Sequence, residues 1–377
     1  YQQFWGGKAG GDAMLIDAAD CVRDCLSDLA NTLLAQQVEE VSGITVDSSL
    51  YPYELWPPGW SHEDRITRSG APVSAITINS NEQRLVVKPG AEPGAPAIAE
   101  FDDGMAAFAI ANDVRTVAEA TSSDDIIVDT FDGSGLLRVY GRIGIGSPAI
   151  ERPVAVDEPA RVAGLRLAKL LAERGITLRG GITQTLRNAS APGAAPEPRE
   201  PLVGVEIGRL LPPPLVDDVT FIMKQSQNLH AELLLRRVGL VEGDGSREAG
   251  LKIVEAMMAE TGSPRWSWDL SDGSGMSIYN RVTPRTVASL LRWTSQQPWA
   301  DAFRATLPVG GVDGTLRRRF ADTSLEGRIF AKTGTLNGVN ALSGFMLTRS
   351  GRTLIFSAFA NDRPSEAGSA IAAMDAA

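Results

Sequence analysis

Residues 328–360 read RIFAKTGTLNGVNALSGFMLTRSGRTLIFSAFA and contain three apolar runs: Arg328 to Thr335, Val339 to Thr348 and Thr353 to Ala360. Short apolar runs rich in β-branched and aromatic residues, bounded by glycine-containing turns, predict strands. The Ser350-Gly351 turn makes the last two a hairpin, because glycine accepts the positive φ that a tight connection needs. The first run carries Ala331-Lys332-Thr333-Gly334-Thr335. On an edge strand these residues have a chemical use. The edge offers backbone groups to an extended substrate, Lys332 supplies a cation, Thr333 supplies a hydroxyl for a carboxylate, and Gly334 leaves the groove open. A strand that merely ends in small polar residues would read the same way.

Helical patterns dominate from about residue 202 to residue 305 and include Met223-Lys224-Gln225-Ser226-Gln227-Asn228. The spacing of Ser226 and Asn228 puts both side chains on one side of a loop; a serine serving as a helix N-cap is the alternative. Between this segment and the Lys332 strand lie Asp272-Gly273-Ser274-Gly275-Met276-Ser277, Leu307-Pro308-Val309-Gly310-Gly311 and Gly314-Thr315-Leu316.

The N-terminal half has a different texture. A strand and Gly-rich turn at Phe4-Trp5-Gly6-Gly7 are followed by a predicted helix from Asp17 to Val41, with Val22, Leu26, Leu29 and Leu33 on one face and Gly43 as its stop. Predicted strands follow at 44–47, 73–78 and 84–87. A Gly/Ala/Pro-rich shift at 89–96 introduces short β-rich pieces, among them 125–128 and 136–145. A second helix starts at Asp157, with Pro159 in its first turn, Ala163, Leu167, Leu170 and Leu171 on one face, and Gly175 ending it. The prolines of residues 189–202 exclude a regular helix or ladder, so a linker or long loop is expected there.

Composition bounds the function. The 377 residues exceed the size at which one core stops growing, so two or three domains are expected. No run reaches the roughly 20 apolar residues of a membrane span. A formal net charge of -10 disfavours nucleic acid as a partner. His62 and His230 are the only histidines, which argues against a His-rich metal site and leaves a Ser-His-Asp triad few candidates. Cys21 and Cys25 are the only cysteines, read as a local disulfide or two ordinary thiols. The acidic pairs Glu39-Glu40 and Asp124-Asp125 read as solvated, and Trp56, Trp60, Trp266 and Trp268 as packing residues rather than a saccharide groove.

Taken in order, the Ser226-x-Asn228, Asp-Gly-Ser-Gly, Leu-Pro-Val-Gly-Gly and Lys332-Thr333-Gly334-Thr335 elements resemble the class C low-molecular-mass penicillin-binding proteins, a D-Ala-D-Ala carboxypeptidase/endopeptidase family. The resemblance runs almost element by element from Pro201 to Asn361; residues 1–200 resemble, more loosely, two domains that the family inserts between its first and second motifs.

The resemblance implies an α+β protein with a β-lactamase/transpeptidase-like domain at 199–377, an inserted α/β domain at 1–88 and 149–198, and a small β-rich inserted domain at 89–148. It implies Ser226 as a proton relay toward the leaving D-alanine, Asn228 as a hydrogen-bonding partner of the substrate chain, and Lys332 as a source of positive potential. Thr333 and Thr335, beside Gly334, would bind the substrate carboxylate, and the Thr335 N–H would form half of an oxyanion hole. The implied reaction is acyl transfer through a serine ester, without metal or organic cofactor. The implied partners are peptidoglycan peptides ending in D-Ala-D-Ala and β-lactams as covalent inhibitors. The implied location is the periplasm or another extracytoplasmic part of a bacterial envelope, compatible with peripheral membrane or wall association.

One element departs from the family. Lysine occurs only at positions 8, 88, 169, 224, 252 and 332, and the residues three before them are Trp5, Leu85, Arg166, Phe221, Ala249 and Ile329. No Ser-x-x-Lys exists in the chain, so the nucleophile is expected upstream of Tyr1. A catalytically inactive wall-peptide binding module and a β-lactamase-like esterase are the alternative readings.

Overall fold

The computed structural model describes residues 2–6, 13–15, 25–102, 107–130, 134–189, 204–210, 213–336, 338–362 and 369–376. The chain divides into two compact units, one of residues 1–56 with 60–212 and one of residues 57–59 with 213–377.

The first unit begins with β1 (Gln2–Gly6) and β2 (Ala13–Leu15), then α1 (Cys25–Ala35), β3 (Glu40–Val41) and β4 (Ile44–Asp47). Strands β5 (Glu82–Lys88), β6 (Ile98–Phe101), β7 (Ala109–Val117), β8 (Ile126–Thr130), β9 (Leu136–Gly144) and β10 (Ile150–Ala155) follow. The unit closes with α2 (Pro159–Glu173), β11 (Thr177–Leu178), β12 (Ile182–Thr185) and β13 (Val205–Leu210).

Its main sheet runs β12-β4-β2-β1-β13, parallel across the first three strands and antiparallel thereafter. Leu26, Leu29, Ala30 and Leu33 of α1 recur every three or four residues and pack with Ala163, Leu167 and Leu171 of α2 beside Ile44 and Val46. Gly164 lets α2 come close, because a Cβ there would lie 2.5 Å from Ile182. A second core forms where Leu85, Val87 and Val154 meet Val114, Leu137, Val139 and Ile143. Two three-stranded sheets supply it, β10-β5-β6 and β7-β9-β8.

Two elements differ from the sequence reading. The α1 helix ends at Ala35 rather than Val41, because Gln37 turns into the left-handed region at φ 58° and Val38 N–H returns to the Leu33 carbonyl. Residues 73–78 form no strand: Ile76 N–H goes to Ser74 Oγ and Thr77 Oγ1 to the Ser74 carbonyl, local bonds that replace a ladder. The N-terminal part of the predicted helix, Gly7, Cys21 and most of the 189–202 linker lie outside the described residues. Cys25 is disulfide-bonded. Trp60 and Trp268 are buried and Trp56 donates Nε1–H to the Gly70 carbonyl, whereas Trp266 is exposed.

The second unit holds α3 (Leu215–Gln225), α4 (Asn228–Glu242), α5 (Arg247–Glu260), a short pair β14 (Trp268–Asp269) and β15 (Arg281–Val282), α6 (Pro284–Thr294) and α7 (Ala300–Thr306). It ends with β16 (Ile329–Leu336), β17 (Val339–Leu347), β18 (Thr353–Ala360) and α8 (Ala370–Ala376). The last three strands form an antiparallel sheet in the order β16-β17-β18, with Lys332 opposite Ser343. Successive side chains of β16 point to opposite faces. Ile329 and Ala331 join Leu316, Phe320 and Leu342 on one face; Phe330 joins Met223, Leu291, Leu307 and Phe345 on the other. The parity places Lys332 on the face that α3 covers and Thr333 on the face of Leu316.

Candidate active site

Helix α3 stops at Ser226, which adopts φ 55° and ψ 51°, left-handed values that an L-residue holds only when its surroundings impose them. The N–H groups of Ser226 and Gln227 both turn back to the Ile222 carbonyl. Gln227 is buried, and its Oε1 accepts the Leu229 N–H at 3.0 Å, capping α4. The N-cap is therefore Gln227, not Ser226. With the middle residue of Ser226-Gln227-Asn228 pointing inward, Ser226 stands exposed and Asn228 opens α4 half-buried.

Lys332 reaches across from β16. Its Nζ donates to Ser226 Oγ at 2.7 Å and to the Thr333 carbonyl at 2.8 Å. Partial burial, with no carboxylate in those bonds, disfavours the ammonium and pushes its pKa down to about 8. On the opposite face Thr333 Oγ1 donates to Thr315 Oγ1 at 2.8 Å. Thr335 Oγ1 accepts a long 3.5 Å bond from Asn340 Nδ2. A Cβ on Gly334 would meet only Ala341, at 3.4 Å, so the space over the strand is open there.

The strand edge is shaped for an added chain. Ala331 N–H donates to the Pro308 carbonyl at 2.9 Å, on the side away from β17. Backbone groups alternate sides along an antiparallel strand, so those of Thr333 and Thr335 also face outward. Among the described residues no strand pairs with that edge beyond the bridge at Phe330.

The loop after α5 is fastened to α4 by a residue to which the sequence reading gave no role. Glu232, one turn after Asn228 and fully buried, accepts the N–H groups of Gly273 and Ser274 through Oε1 at 3.0 and 2.8 Å. Asp272 in turn accepts Gly275 N–H and Asn280 Nδ2–H. Burial, reinforced by the Asp272 charge, raises the Glu232 pKa to about 7. A carboxylate set among Leu229, Leu233 and Leu235 was the available signal. Thr315, quoted in the sequence with Gly314 and Leu316, was given no role there, because its neighbours in sequence do not reveal which strand it faces.

Among the described residues no group of three or more His, Cys, Asp and Glu side chains could hold a metal ion. His230, buried, bonds Asp218 at 2.7 Å and packs edge-on against Phe221. The arrangement instead presents a cation, a hydroxyl and an open strand edge, a set suited to gripping a peptide carboxyl end and moving a proton beside it.

Known proteins are similar to this chain in sequence and in fold. The chain is 32% identical over 335 residues to a D-alanyl-D-alanine carboxypeptidase of Actinomadura sp. (strain R39); the match covers 85% of the chain and 60% of that relative's length. The crystal structure of penicillin binding protein 4 (DacB) from Haemophilus influenzae superposes with a TM-score of 0.80 at 23% identity, covering 99% of this chain and 83% of that one. A second structure of that protein, complexed with a β-lactam, gives a TM-score of 0.73 at 22% identity over 99% of this chain and 82% of that one. The fold is thus the α+β, transpeptidase-like one that the motifs implied. The profile of the D-Ala-D-Ala carboxypeptidase 3 (S13) family matches residues 5–377, from the first strand through the Lys332 strand to the C-terminal helix, and the chain belongs to that family.

Proposed function

We propose that the protein removes the terminal residue from peptidoglycan peptides ending in D-Ala-D-Ala, through an acyl-serine intermediate, and that β-lactams acylate the same serine. The observation that carries this reading is the 2.7 Å bond from Lys332 Nζ to Ser226 Oγ beside an open strand edge. In the reaction the substrate lies along the outer edge of β16. Thr333 and Thr335 receive its terminal carboxylate, the Thr335 N–H stabilises the developing oxyanion, and Asn228 holds the peptide chain. Ser226, supplied from Lys332, passes a proton to the departing D-alanine. Lys332 keeps the local potential positive, favouring the deprotonated nucleophile. That nucleophile belongs to a Ser-x-x-Lys motif that residues 1–377 do not contain.

The β-lactam complex of the Haemophilus neighbour and the name of the Actinomadura relative support the substrate class. The disulfide at Cys25 supports an oxidising, extracytoplasmic location, which in a bacterium with an outer membrane is the periplasm.

The test is to incubate protein from the complete gene with a fluorescent penicillin and, separately, with a D-Ala-D-Ala peptide. Covalent labelling and D-alanine release are the expected results. A protein that binds the peptide but is neither labelled nor releases D-alanine would be a binding module, and rapid penicillin turnover would mark a β-lactamase-like esterase.

A further inference from the structure

The loop of residues 307–316 touches both halves of the site. Leu307 packs on the Lys332 face of the sheet and Leu316 on the Thr333 face, so the loop wraps around the edge of β16. Pro308 and Gly310 exchange backbone bonds with Ala331 and Ile329, and Thr315 accepts the Thr333 hydroxyl. The same loop is tied to α3 two residues before Ser226. Lys224 Nζ donates to the Leu307 carbonyl at 2.7 Å and to both Asp313 oxygens at 2.8 and 2.6 Å, and Asp313 Oδ1 also accepts the Val309 N–H at 2.9 Å. Gly314, at φ 57°, lies against the backbone of the same helical turn, where a Cβ would sit 3.0 Å from the Lys224 carbonyl. Lys224 is mostly covered, whereas Asp313 is half exposed.

We infer that Lys224 and Asp313 are positioning residues for the proposed reaction, an ionic clip that fixes the end of α3 to the β16 loop and thereby holds Ser226 within reach of Lys332. The need for a clip follows from geometry. Ser226 sits in a left-handed conformation at a helix end, where the backbone frays most readily, while its partner lies on a different element. Neither Lys224 nor Asp313 needs to touch substrate. Their effect is to keep one oxygen within hydrogen-bonding distance of one nitrogen, and a displacement of about 1 Å at a reacting centre costs as much as about a hundredfold in rate.

The inference rests on the functional reading above, and its test separates the two. Protein from the complete gene is compared with K224M, K224R, D313A, the K224M/D313A pair and S226A, measuring thermal melting and acylation by a fluorescent penicillin. The kinetics are resolved into a noncovalent dissociation constant and an acylation step. K224M and D313A are each expected to slow the acylation step about tenfold or more, with the dissociation constant within about threefold of wild type. The double variant should be no slower than the slower single variant, because one clip is lost either way. K224R should recover to within about threefold of wild type, since a second long cation can reach Asp313. Should D313A melt below the assay temperature, D313N carries the same expectation. Wild-type acylation by K224M and D313A, or a defect confined to the dissociation constant, overturns the inference while an inactive S226A leaves the functional reading standing. Wild-type acylation by S226A overturns the reading beneath it.

Discussion

Ser226 Oγ accepts a 2.7 Å hydrogen bond from Lys332 Nζ across 106 positions of sequence. The two atoms meet because Lys332 occupies the face of β16 that α3 covers and because α3 ends in a left-handed turn that leaves Ser226 exposed.

Acylation should lose rate as pH rises through about 8, where Lys332 gives up its proton. K332R should carry the alkaline limb above pH 10, because a guanidinium stays protonated there, and K332A should fall by about a hundredfold or more. Rate–pH profiles with a fluorescent penicillin provide the check, and a wild-type profile that stays flat to pH 10 would count against the assigned role. The linkage sign follows from the same shift. In the window between about 8 and 10.5 the unfolded chain binds the extra proton, so this group's contribution to stability rises with pH across it.

Replacing Ser226 should separate conformation from chemistry. Its φ of 55° favours glycine, while alanine retains the steric penalty of a Cβ. S226G should therefore melt above S226A, by about 1 kcal/mol of stability, and both should lose acylation. Thermal melting beside penicillin labelling decides it; equal melting of the two variants would mean that the backbone at 226 is unstrained.

Glu232 makes stability depend on pH in a defined direction. Its ordinary value of 4.5 is raised to about 7 in the folded chain, so the native state binds more protons between those values. The group's contribution therefore falls as pH rises through that window, and its full cost is present above pH 7. E232Q keeps an acceptor for Gly273 and Ser274 without the charge, so it should gain on wild type between pH 5 and 8. E232A leaves both N–H groups unpaired and should cost about 2 kcal/mol or more. Urea melts at several pH values test both; a Gln variant that loses ground as pH rises would reverse the sign.

Two glycines of the same sheet should respond in opposite ways. A Cβ on Gly344 would sit 2.1 Å from the Phe330 carbonyl and 2.6 Å from Ala331 Cα, both backbone atoms of the Lys332 strand. G344A should destabilise by about 2 kcal/mol or more and abolish labelling by displacing that strand. A Cβ on Gly334 meets only Ala341, so G334A should keep the melting temperature and weaken substrate binding instead. Circular dichroism melts and labelling of the pair give the answer, and a G344A protein as stable as wild type would contradict the close approach.

Much of the fold was legible in local pattern. The three C-terminal strands fall within a residue of their predicted bounds, because alternating apolar runs broken by Gly338 and Ser350-Gly351 leave few other ways to bury them. Helix α2, announced by Pro159 and stopped by Gly175 at φ 76°, is similarly local. The segment 73–78 was misread because Ser74 and Thr77 satisfy neighbouring backbone with their own side chains, a choice that β-propensity does not register. The end of α1 was missed because Gln37 entered the left-handed region without being a glycine.

By itself the sequence determined the order of the motifs and the strand on which Lys332 lies, since these follow from residue type and short-range periodicity. Only the tertiary structure decided that Lys332 turns to Ser226 while Thr333 turns to Thr315, that Gln227 rather than Ser226 caps α4, and that Lys224 reaches Asp313. The physical reason is range: a hydrogen bond acts over about 3 Å, so its partners exist only once packing has brought distant segments together.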